Sequence, residues 1–206
     1  MLRIWGRNNS VNVQKVLWCC EELKLDYERI DAGGSFGVVN TPQYRNLNPN
    51  GLVPTLEEDG FVLWESNAIV RYLAAKHGTI SLWPEDLHIR AEADKWMDWQ
   101  TTTFWPVFRP LFWNLVRTPP DQRDVAAMEE SRFKTAEALA GLDAHLKNRN
   151  YIAGKDLSMG DIPMGCAIWR WMALPIERTD FPNVQRWFDT LSGRPVYQKT
   201  VMLPLT

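Results

Sequence analysis

The sequence predicts an α/β domain over residues 1–78 and an all-α domain over residues 88–206, joined by a linker over residues 79–87. Short apolar runs typical of strands occur only in the first of these regions, where they alternate with an amphipathic helical stripe. Beyond the proline-containing linker, helical periodicity replaces the strand patterns. With 206 residues, 45% of them hydrophobic, the chain is long enough for two small domains that each bury a core.

The N-terminal region alternates strand and helix signals. The apolar recurrence that starts at Val13 has helical spacing, whereas Asp59-Gly60 is a hairpin signal between two short apolar runs. In order, the predicted elements are a strand at Leu2–Trp5, a helix from Val13 to Leu23, a strand at Tyr27–Asp31, a short helix near Thr41–Leu47, a hairpin whose second strand is Phe61–Trp64, and a helix at Ser66–His77. This βαβ-α-ββα order is that of the thioredoxin-like fold.

The C-terminal region contains helical patterns interrupted by prolines. A long helical pattern at His88–Val116 includes Pro106 and Pro110, which predict a bend or break at those positions. The SMGD motif at residues 158–161 resembles a capping box, with Asp in the usual place of Glu. A helix is predicted to restart at residues 118–120 and to run to Lys147. Three further helices are predicted at Ile162–Met172, Pro182–Ser192 and Pro195–Met202.

Composition and charge exclude several classes of function. A formal net charge of -2 argues against nucleic acid or an anionic membrane as the main partner. No apolar run approaches the ~20 residues that a membrane span needs, and no basic apolar leader opens the chain, so a cytoplasmic protein is expected. The cysteines Cys19, Cys20 and Cys166 lack the CxxC spacing of a redox pair and are expected to serve packing.

Two short segments carry the strongest signal for a binding site. Pro54 starts an apolar strand, and a cis Val53–Pro54 bond would expose the backbone of Val53 for pairing with an extended peptide. Glu65 and Ser66 stand where a helix begins, and helix starts bind anions. The alternative is a proline at a strand start and an N-capping serine, but capping alone requires neither Glu65 nor Pro54.

Four motifs follow one another at compatible spacings: NNSVNVQKV, NPNGLVPTL, WESNAIVRYLA and SMGD. In this order they resemble the cytosolic glutathione S-transferase family, in particular its bacterial theta- and nu-like members, over essentially the whole chain. The resemblance implies an N-terminal thioredoxin-like domain that binds glutathione and an all-helical domain that holds the pocket for the acceptor substrate. It also implies glutathione as co-substrate, no metal, and a homodimer.

The resemblance assigns roles to individual residues. Ser10 falls where theta-like members place the Ser or Thr that activates the thiol, and Asn12 is its nearest rival for this role. Glu65 and Ser66 match the pair that binds the γ-glutamyl amino and carboxylate groups, and Val53 matches the residue whose backbone pairs with the cysteinyl unit. The implied glutathione site comprises Asn50, Leu52, Val53, Pro54, Glu65 and Ser66.

The glycyl end of glutathione lacks the partner that related proteins provide. Related classes often carry Lys or His just before the Val-Pro step, whereas this chain has Asn50-Gly51-Leu52 there. The candidates for holding the glycyl carboxylate are therefore Asn50, Arg7 and a residue of the helical domain.

The chemistry of the thiol explains why a hydroxyl is expected at Ser10. The glutathione thiol has a reference pKa near ~8.5, and making it mostly thiolate at neutral pH needs a depression of roughly 2 units, or about 3 kcal/mol. A hydroxyl that donates to the sulfur supplies on the order of 1.5–3 kcal/mol, and the positive end of the following helix adds about 0.3–1 kcal/mol. The alternative role of Ser10 is an ordinary N-cap, which would occupy the same side chain.

Aromatic residues crowd the segment from Phe104 to Trp113, which is apolar on too many sides for one buried stripe. In the family that the chain resembles, the corresponding helix lines the acceptor pocket. The predicted pocket comprises Phe104, Trp105, Phe108 and Phe112, with Arg109 available for an anionic group on the substrate. Core or interdomain packing would account for about half of these aromatic residues.

The leading functional prediction is a glutathione transferase that conjugates the glutathione thiolate to small hydrophobic electrophiles, a detoxification reaction. A glutathione-dependent disulfide reductase or peroxidase is one alternative, because nu-like relatives suggest it and it requires no CxxC pair. A non-catalytic glutathione-binding regulator or subunit is another.

Overall fold

The computed structural model describes residues 1–78 and 81–206. In the N-terminal half the strands are β1 at Leu2–Trp5, β2 at Tyr27–Ile30, β3 at Thr55–Glu58 and β4 at Phe61–Trp64. They form a four-stranded sheet with the order β2-β1-β3-β4. β1 and β2 are parallel, whereas the β1–β3 and β3–β4 pairs are antiparallel. The sheet is therefore mixed, with β1 and β3 at its centre.

Helices of the N-terminal half pack on this sheet. They are α1 at Val11–Glu22, α2 at Pro42–Leu47 and α3 at Ser66–His77. α1 and α3 contact each other, and their fully buried residues, such as Val13 and Val70, share one core with Ile4 and Leu56 of the sheet. The order βαβ-α-ββα confirms the predicted thioredoxin-like arrangement.

The C-terminal half is helical, which confirms the predicted combination of an α/β domain with an all-α domain. Its helices are α4 at Leu87–Trp99, α5 at Trp105–Arg117, α6 at Val125–Leu146, α7 at Asp161–Ala173, α8 at Pro182–Ser192 and α9 at Pro195–Thr200. Across residues 1–78 and 81–206, no helix combines the length and apolar character that crossing a membrane requires.

The predicted linker is described only in part, because Thr79 and Ile80 lie outside the described residues. The helix before it ends at His77. After it, the Asp86 carboxylate accepts hydrogen bonds from two backbone N–H groups in the first turn of α4, at 2.8 and 3.1 Å. This cap gives α4 a defined start. The domain boundaries at residues 1–78, 79–87 and 88–206 stay predictions.

The two prolines of α5 do not have the effect that the sequence predicted, a bend or break of the helix at each proline. A π-helical segment at Gln100–Phe104 separates α4 from α5, so the irregularity lies before Pro106. Pro106 occupies the first turn of α5, where its missing N–H costs little. α5 continues through Pro110, where the Ser131 hydroxyl of α6 contacts the helix backbone. Of the predicted bend or break at Pro110, the break is therefore wrong.

Acidic side chains set the starts of α6 and α7. α6 starts later than predicted, after Asp124, whose carboxylate accepts a hydrogen bond from Ala127 N–H at 2.9 Å. One half of the capping box predicted at residues 158–161 is observed, since Asp161 Oδ2 accepts from the N–H and the hydroxyl of Ser158 at 2.9 and 3.1 Å, whereas the Asp161 N–H donates to the Ser158 main-chain oxygen. Both helices thus begin where a carboxylate satisfies backbone donors.

Helix α1 joins the two halves of the molecule. Trp18 is fully buried and meets Tyr197 of α9 edge-on, with ring centroids 4.9 Å apart. Gly165 of α7 lies against the same indole, since a Cβ at this glycine would be 2.6 Å from Trp18 Cζ3. Arg194 donates to both carboxylate oxygens of Glu22 at 2.9 and 2.5 Å. These contacts fix α1 between the N-terminal domain and the helical domain.

Candidate active site

Ser10 and Asn12, the two candidates for thiol activation, lie at the start of α1. Ser10 has the extended backbone of an N-cap, with φ -78 and ψ 128, but its hydroxyl forms no capping hydrogen bond in the described part of the chain. Ser10 is buried at 8% exposure, whereas Asn12 is exposed on the first turn. The capping role that competed with ligand binding at Ser10 is thus not observed.

The Val53–Pro54 peptide bond is cis, as the sequence predicted. The carbonyl oxygen of the preceding Leu52 accepts hydrogen bonds from the Tyr44 hydroxyl at 2.6 Å and from Asn48 Nδ2 at 2.9 Å. Sequence reasoning missed these two supporting side chains. The Asn-Pro pair that begins at Asn48 is a turn signal that could have indicated one of them.

Glu65 and Ser66 begin α3 through a strained backbone. Glu65 adopts φ 71, in the left-handed region that a residue other than glycine rarely occupies. Such conformations cluster at ligand sites. Ser66 is buried at 6% exposure, whereas Glu65 is exposed, and its carboxylate caps no backbone N–H of the described helix. The carboxylate is therefore open to a cationic group of a ligand.

Glu65 and Ser66 line a cleft of about 400 Å³ between the two domains. Its lining comes from α1, α3, α4, the π-helical segment and α5, and consists of Asn12, Lys15, Glu65, Ser66, Asn67, Ala68, Arg71, Asp98, Gln100, Thr101, Thr102 and Trp105. Four residues that the sequence singled out therefore meet here: Asn12, Glu65, Ser66 and Trp105. Among the described residues, no group of three or more His, Cys, Asp or Glu is placed to hold a metal ion.

Lys15 is a cleft residue that sequence reasoning missed. It is 3% exposed, and its Nζ donates to Asn67 Oδ1 at 3.2 Å and to Gln100 Oε1 at 2.9 Å. Burial is the main cause that lowers the pKa of Lys15 from 10.5 to about 8. No local pattern distinguishes this lysine from a surface one, because its burial depends on α3 and the π-helical segment packing over it.

The other predicted glutathione contacts do not line this cleft. Asn50 is exposed, and its N–H donates to Asn48 Oδ1 at 3.1 Å. Arg7 lies beside Val53, since a Cβ built on Gly33 would be 3.3 Å from Val53 Cγ1 and 3.4 Å from Arg7 Nη1. Of the candidates for the glycyl carboxylate, Arg7 is thus next to the residue predicted to pair with the cysteinyl unit.

The predicted aromatic pocket is mostly core. Phe104 and Phe108 are fully buried and Phe112 is 2% exposed, with successive ring centroids 5.5 and 6.0 Å apart. Packing explains these three rings without a ligand, because none of them lines the cleft. Trp105 is half-buried and does line it, and Arg109 is exposed on α5. Of the predicted set, Trp105 therefore lines the cleft and Arg109 does not, and the acceptor pocket stays a prediction.

The cysteines are buried and free of disulfides. Burial raises the pKa of Cys20 and of Cys166 to about 12, and it raises the pKa of Cys19 well above its usual range. These thiols are therefore protonated at neutral pH and poor nucleophiles. Thiol chemistry at the cleft requires a thiol from a bound ligand.

Comparisons with known proteins agree with this architecture. The family models for the glutathione S-transferase N-terminal and C-terminal domains match residues 9–76 and 102–195. Glutathione S-transferase GstB of Escherichia coli strain K12 is 45% identical over 208 residues, which cover 100% of each chain. A theta-class glutathione S-transferase of Xanthomonas axonopodis pv. citri, solved with glutathione bound, is 51% identical with a TM-score of 0.96, over 100% of this chain and 99% of that chain.

More distant structures share the same architecture. Glutathione transferase F7 from Populus trichocarpa is 26% identical with a TM-score of 0.89, over 99% of this chain and 100% of that chain. The matches therefore extend over both halves of the chain, as do the motifs found between residues 8 and 161. The chain belongs to the glutathione S-transferase family of enzymes.

Proposed function

We propose that this enzyme conjugates the thiolate of glutathione to a small hydrophobic electrophile, with Ser10 as the residue that stabilises the thiolate. The observation that carries the proposal is the buried Ser10 hydroxyl, which stands at the N-terminus of α1 without a capping bond to the described residues. The glutathione-bound structure of the 51% identical bacterial relative supports glutathione as the ligand. The protonated state of the buried cysteines supports a thiol that comes from outside the chain.

In this proposal the N-terminal domain holds glutathione by its polar ends. The Glu65 carboxylate binds the γ-glutamyl ammonium, and Ser66 binds the γ-glutamyl carboxylate with its hydroxyl and N–H at the start of α3. The backbone of Val53 pairs with the cysteinyl unit in the manner of a strand edge. Leu52 and Pro54 flank that contact, so the cysteinyl sulfur is directed toward Ser10.

Ser10 donates a hydrogen bond to the sulfur and keeps its own proton. The donor contributes about 1.5–3 kcal/mol and the N-terminus of α1 contributes about 0.3–1 kcal/mol. Their sum is close to the roughly 3 kcal/mol that lowers the thiol pKa by about 2 units. The thiolate then attacks the electrophilic carbon, and the enzyme adds rate by holding both reactants in one site.

The electrophile binds beside Trp105, whose half-buried indole lines the cleft. Its apolar surface and the neighbouring aromatic core favour small hydrophobic substrates. The proposal includes a cytoplasmic homodimer that detoxifies electrophiles, with no nucleic acid or membrane as partner. The formal net charge of -2 supports the absence of a nucleic-acid partner.

The thiol titration of bound glutathione tests the role of Ser10. Ser10→Ala should raise the pKa of the bound thiol by about 1–2 units, because the sulfur loses its hydroxyl donor. The ultraviolet absorbance of the thiolate, followed against pH in the complex, measures this shift. Ser10→Thr keeps a hydroxyl and should preserve the wild-type titration. An unchanged titration in Ser10→Ala, with a shift in Asn12→Ala, would transfer the role to Asn12.

A glutathione-dependent disulfide reductase is the second candidate function. The observation that favours it is the exposed Asn12 on the cleft, because nu-like members carry Asn at this position. Two glutathione thiols would supply the two electrons, and no protein cysteine would take part. Faster turnover of a mixed glutathione disulfide than of a chloro-aromatic electrophile would establish this function instead of conjugation.

A further inference from the structure

Four arginines interact with one another near α5 and the turn before α1, and we refer to them as the basic cluster: Arg7, Arg109, Arg117 and Arg170. Arg7 lies in the loop between β1 and α1, Arg109 and Arg117 lie on α5, and Arg170 lies on α7. None of the four forms an ion pair with an Asp or Glu of the described residues, in contrast to Arg194. The protein therefore collects positive charge at one place without neutralising it.

Arg170 is the buried member of the cluster, at 4% exposure. Its Nη1 donates to Cys166 O at 2.9 Å within α7, and its Nη2 donates to Asn9 O at 3.2 Å. Asn9 directly precedes Ser10 in the sequence. The guanidinium thus contacts the turn that presents the proposed thiolate donor.

Arg109 and Arg117 extend the cluster across aromatic rings of α5. Their guanidinium carbons lie 4.7 and 4.1 Å from the ring centroid of Trp113, so both stack on the same indole. Phe112 is flanked in a similar way, with Arg117 at 5.8 Å and Arg170 at 6.0 Å from its centroid. The cluster therefore connects the aromatic surface of α5 with the turn before α1.

Arg7 borders the cluster on the side of the predicted cysteinyl contact. A Cβ on Gly33 would lie 3.4 Å from Arg7 Nη1 and 3.3 Å from Val53 Cγ1, so that Arg7 and Val53 approach the same glycine. A Cβ on the next residue, Gly34, would lie 3.1 Å from Arg7 Cδ. The arginine side chain is therefore held against this loop, on the side of Val53.

The charges of the cluster act on one another. Burial lowers the pKa of Arg117, and the charges of Arg7 and Arg109 lower it further. Burial also lowers the pKa of Arg170 to about 10, and the charges of Arg117 and Arg7 act in the same direction. Arg117 donates from Nε and Nη2 to the main-chain oxygen of Thr206 at 3.4 and 3.3 Å, which are long for hydrogen bonds of this kind. An anion bound among these groups would relieve their repulsion.

We propose that the basic cluster binds a carboxylate of the acceptor substrate, so that the enzyme prefers electrophiles that carry an anionic group. This inference rests on the proposed function, because it needs the glutathione thiolate at Ser10. An acceptor carboxylate fits better than the glycyl carboxylate of glutathione, since Arg109 and Arg117 both stack on Trp113 of α5, the helix predicted to line the acceptor pocket. The forked guanidinium groups suit a carboxylate, and Trp113 offers a face for an aromatic ring.

A chloronitrobenzoate, whose chlorine is activated by an adjacent nitro group, is a suitable probe. The sulfur forms a bond to the ring carbon, the carbon–chlorine bond breaks, and chloride leaves with the electron pair. The carboxylate is unchanged by the reaction and serves only for binding. The corresponding chloronitrobenzamide has the same shape without the charge, and dividing each rate by the uncatalysed rate with glutathione corrects for intrinsic reactivity.

The two probes are compared in wild type, Arg117→Gln and Arg109→Gln, both of which change exposed side chains. We expect the wild type to prefer the benzoate, and each variant to lower kcat/KM for the benzoate by about tenfold. The value for the benzamide should stay within about twofold of wild type, because a neutral amide loses little with the cation. Arg90→Gln is the matched control, since Arg90 also stacks on an indole, 4.9 Å from the Trp83 centroid.

Three other outcomes would overturn the inference, and each points to a different cause. Equal losses with both probes would show that the cluster does not recognise the carboxylate. A higher KM for glutathione with both probes would assign the arginines to the glycyl carboxylate instead. A wild type that conjugates neither probe would contradict the proposed function itself.

Discussion

Lys15 shows how one buried side chain responds to its surroundings. Its ammonium has the amide oxygens of Asn67 and Gln100 as hydrogen-bond partners, and both partners are neutral. Among the charges around it, Glu65 favours the ammonium and Arg170 disfavours it, but burial outweighs both. A charged group buried with neutral partners makes stability depend on pH.

We expect the contribution of Lys15 to the free energy of unfolding to rise between about pH 8 and 10.5. The unfolded chain keeps this proton up to the ordinary pKa of 10.5, whereas the folded state releases it at about 8. The unfolded state thus binds more protons in this window, and the full effect is about 3 kcal/mol. Urea unfolding over this range should show wild type gaining about 3 kcal/mol relative to Lys15→Met, because the buried cysteines affect both proteins alike. Parallel pH profiles for the two proteins would contradict it.

At the scale of elements, α5 continues through Pro110 because a hydroxyl of α6 forms hydrogen bonds with the backbone groups that the proline disturbs. Ser131 Oγ accepts a hydrogen bond from Leu111 N–H at 3.0 Å and donates one to Val107 O at 2.5 Å. Leu111 and Val107 are four residues apart, so the hydroxyl stands between the two partners of one helical hydrogen bond. A proline inside a helix is tolerated when such a group satisfies the disturbed backbone.

We expect Ser131→Ala to destabilise the protein by about 1–3 kcal/mol, because the backbone N–H of Leu111 and the carbonyl of Val107 lose their hydrogen-bond partner. The loss should be smaller in a Pro110→Ala background, where the regular bond from Leu111 N–H to Val107 O can form. A double-mutant cycle on the free energy of unfolding measures this coupling. An equal cost of Ser131→Ala in both backgrounds would show that the hydroxyl does not compensate for the proline.

At the scale of the whole molecule, α1 is shared by the two domains. Trp18 is buried between them and lies so close to Gly165 of α7 that there is no room for a Cβ. The ion pair of Glu22 with Arg194 connects the same helix to the end of the chain. Because the shared helix also begins at Ser10, the packing between the domains holds the proposed catalytic turn.

Two glycine substitutions test this shared core. Gly165→Ala should lower the free energy of unfolding by about 1–3 kcal/mol, since the new Cβ would be 2.6 Å from Trp18 Cζ3. Gly141→Ala is the matched control in the interior of α6, where nothing lies within 4 Å of a Cβ. It should stabilise the protein by up to about 1 kcal/mol through helix propensity.

Tryptophan fluorescence and far-ultraviolet circular dichroism should report the same transition midpoint in the wild type, because a core shared through α1 makes the two domains unfold as one unit. Separate midpoints in the wild type, or a Gly165→Ala variant as stable as Gly141→Ala, would show that the contact with Trp18 does not couple the domains.

Local sequence patterns were sufficient for the strands, most helices and the cap of α7. Hydrophobic spacing, Asp59-Gly60 and the motif at residues 158–161 act through neighbours a few residues away, so the sequence carries them directly. The segments around Val53 and Glu65 were identified for the same reason. The sequence did not locate the helix irregularity before Pro106, because its position depends on how the π-helical segment packs.

The sequence by itself determined that this chain has a thioredoxin-like domain followed by a helical domain, and it predicted Ser10, Glu65 and Ser66 as residues of its site. Only the tertiary structure decided which charged side chains face that site. Lys15 and Arg170 resemble ordinary helical residues in the sequence, and Phe104 and Phe108 resemble pocket residues. Their roles depend on contacts between residues distant in the chain, which no local pattern encodes.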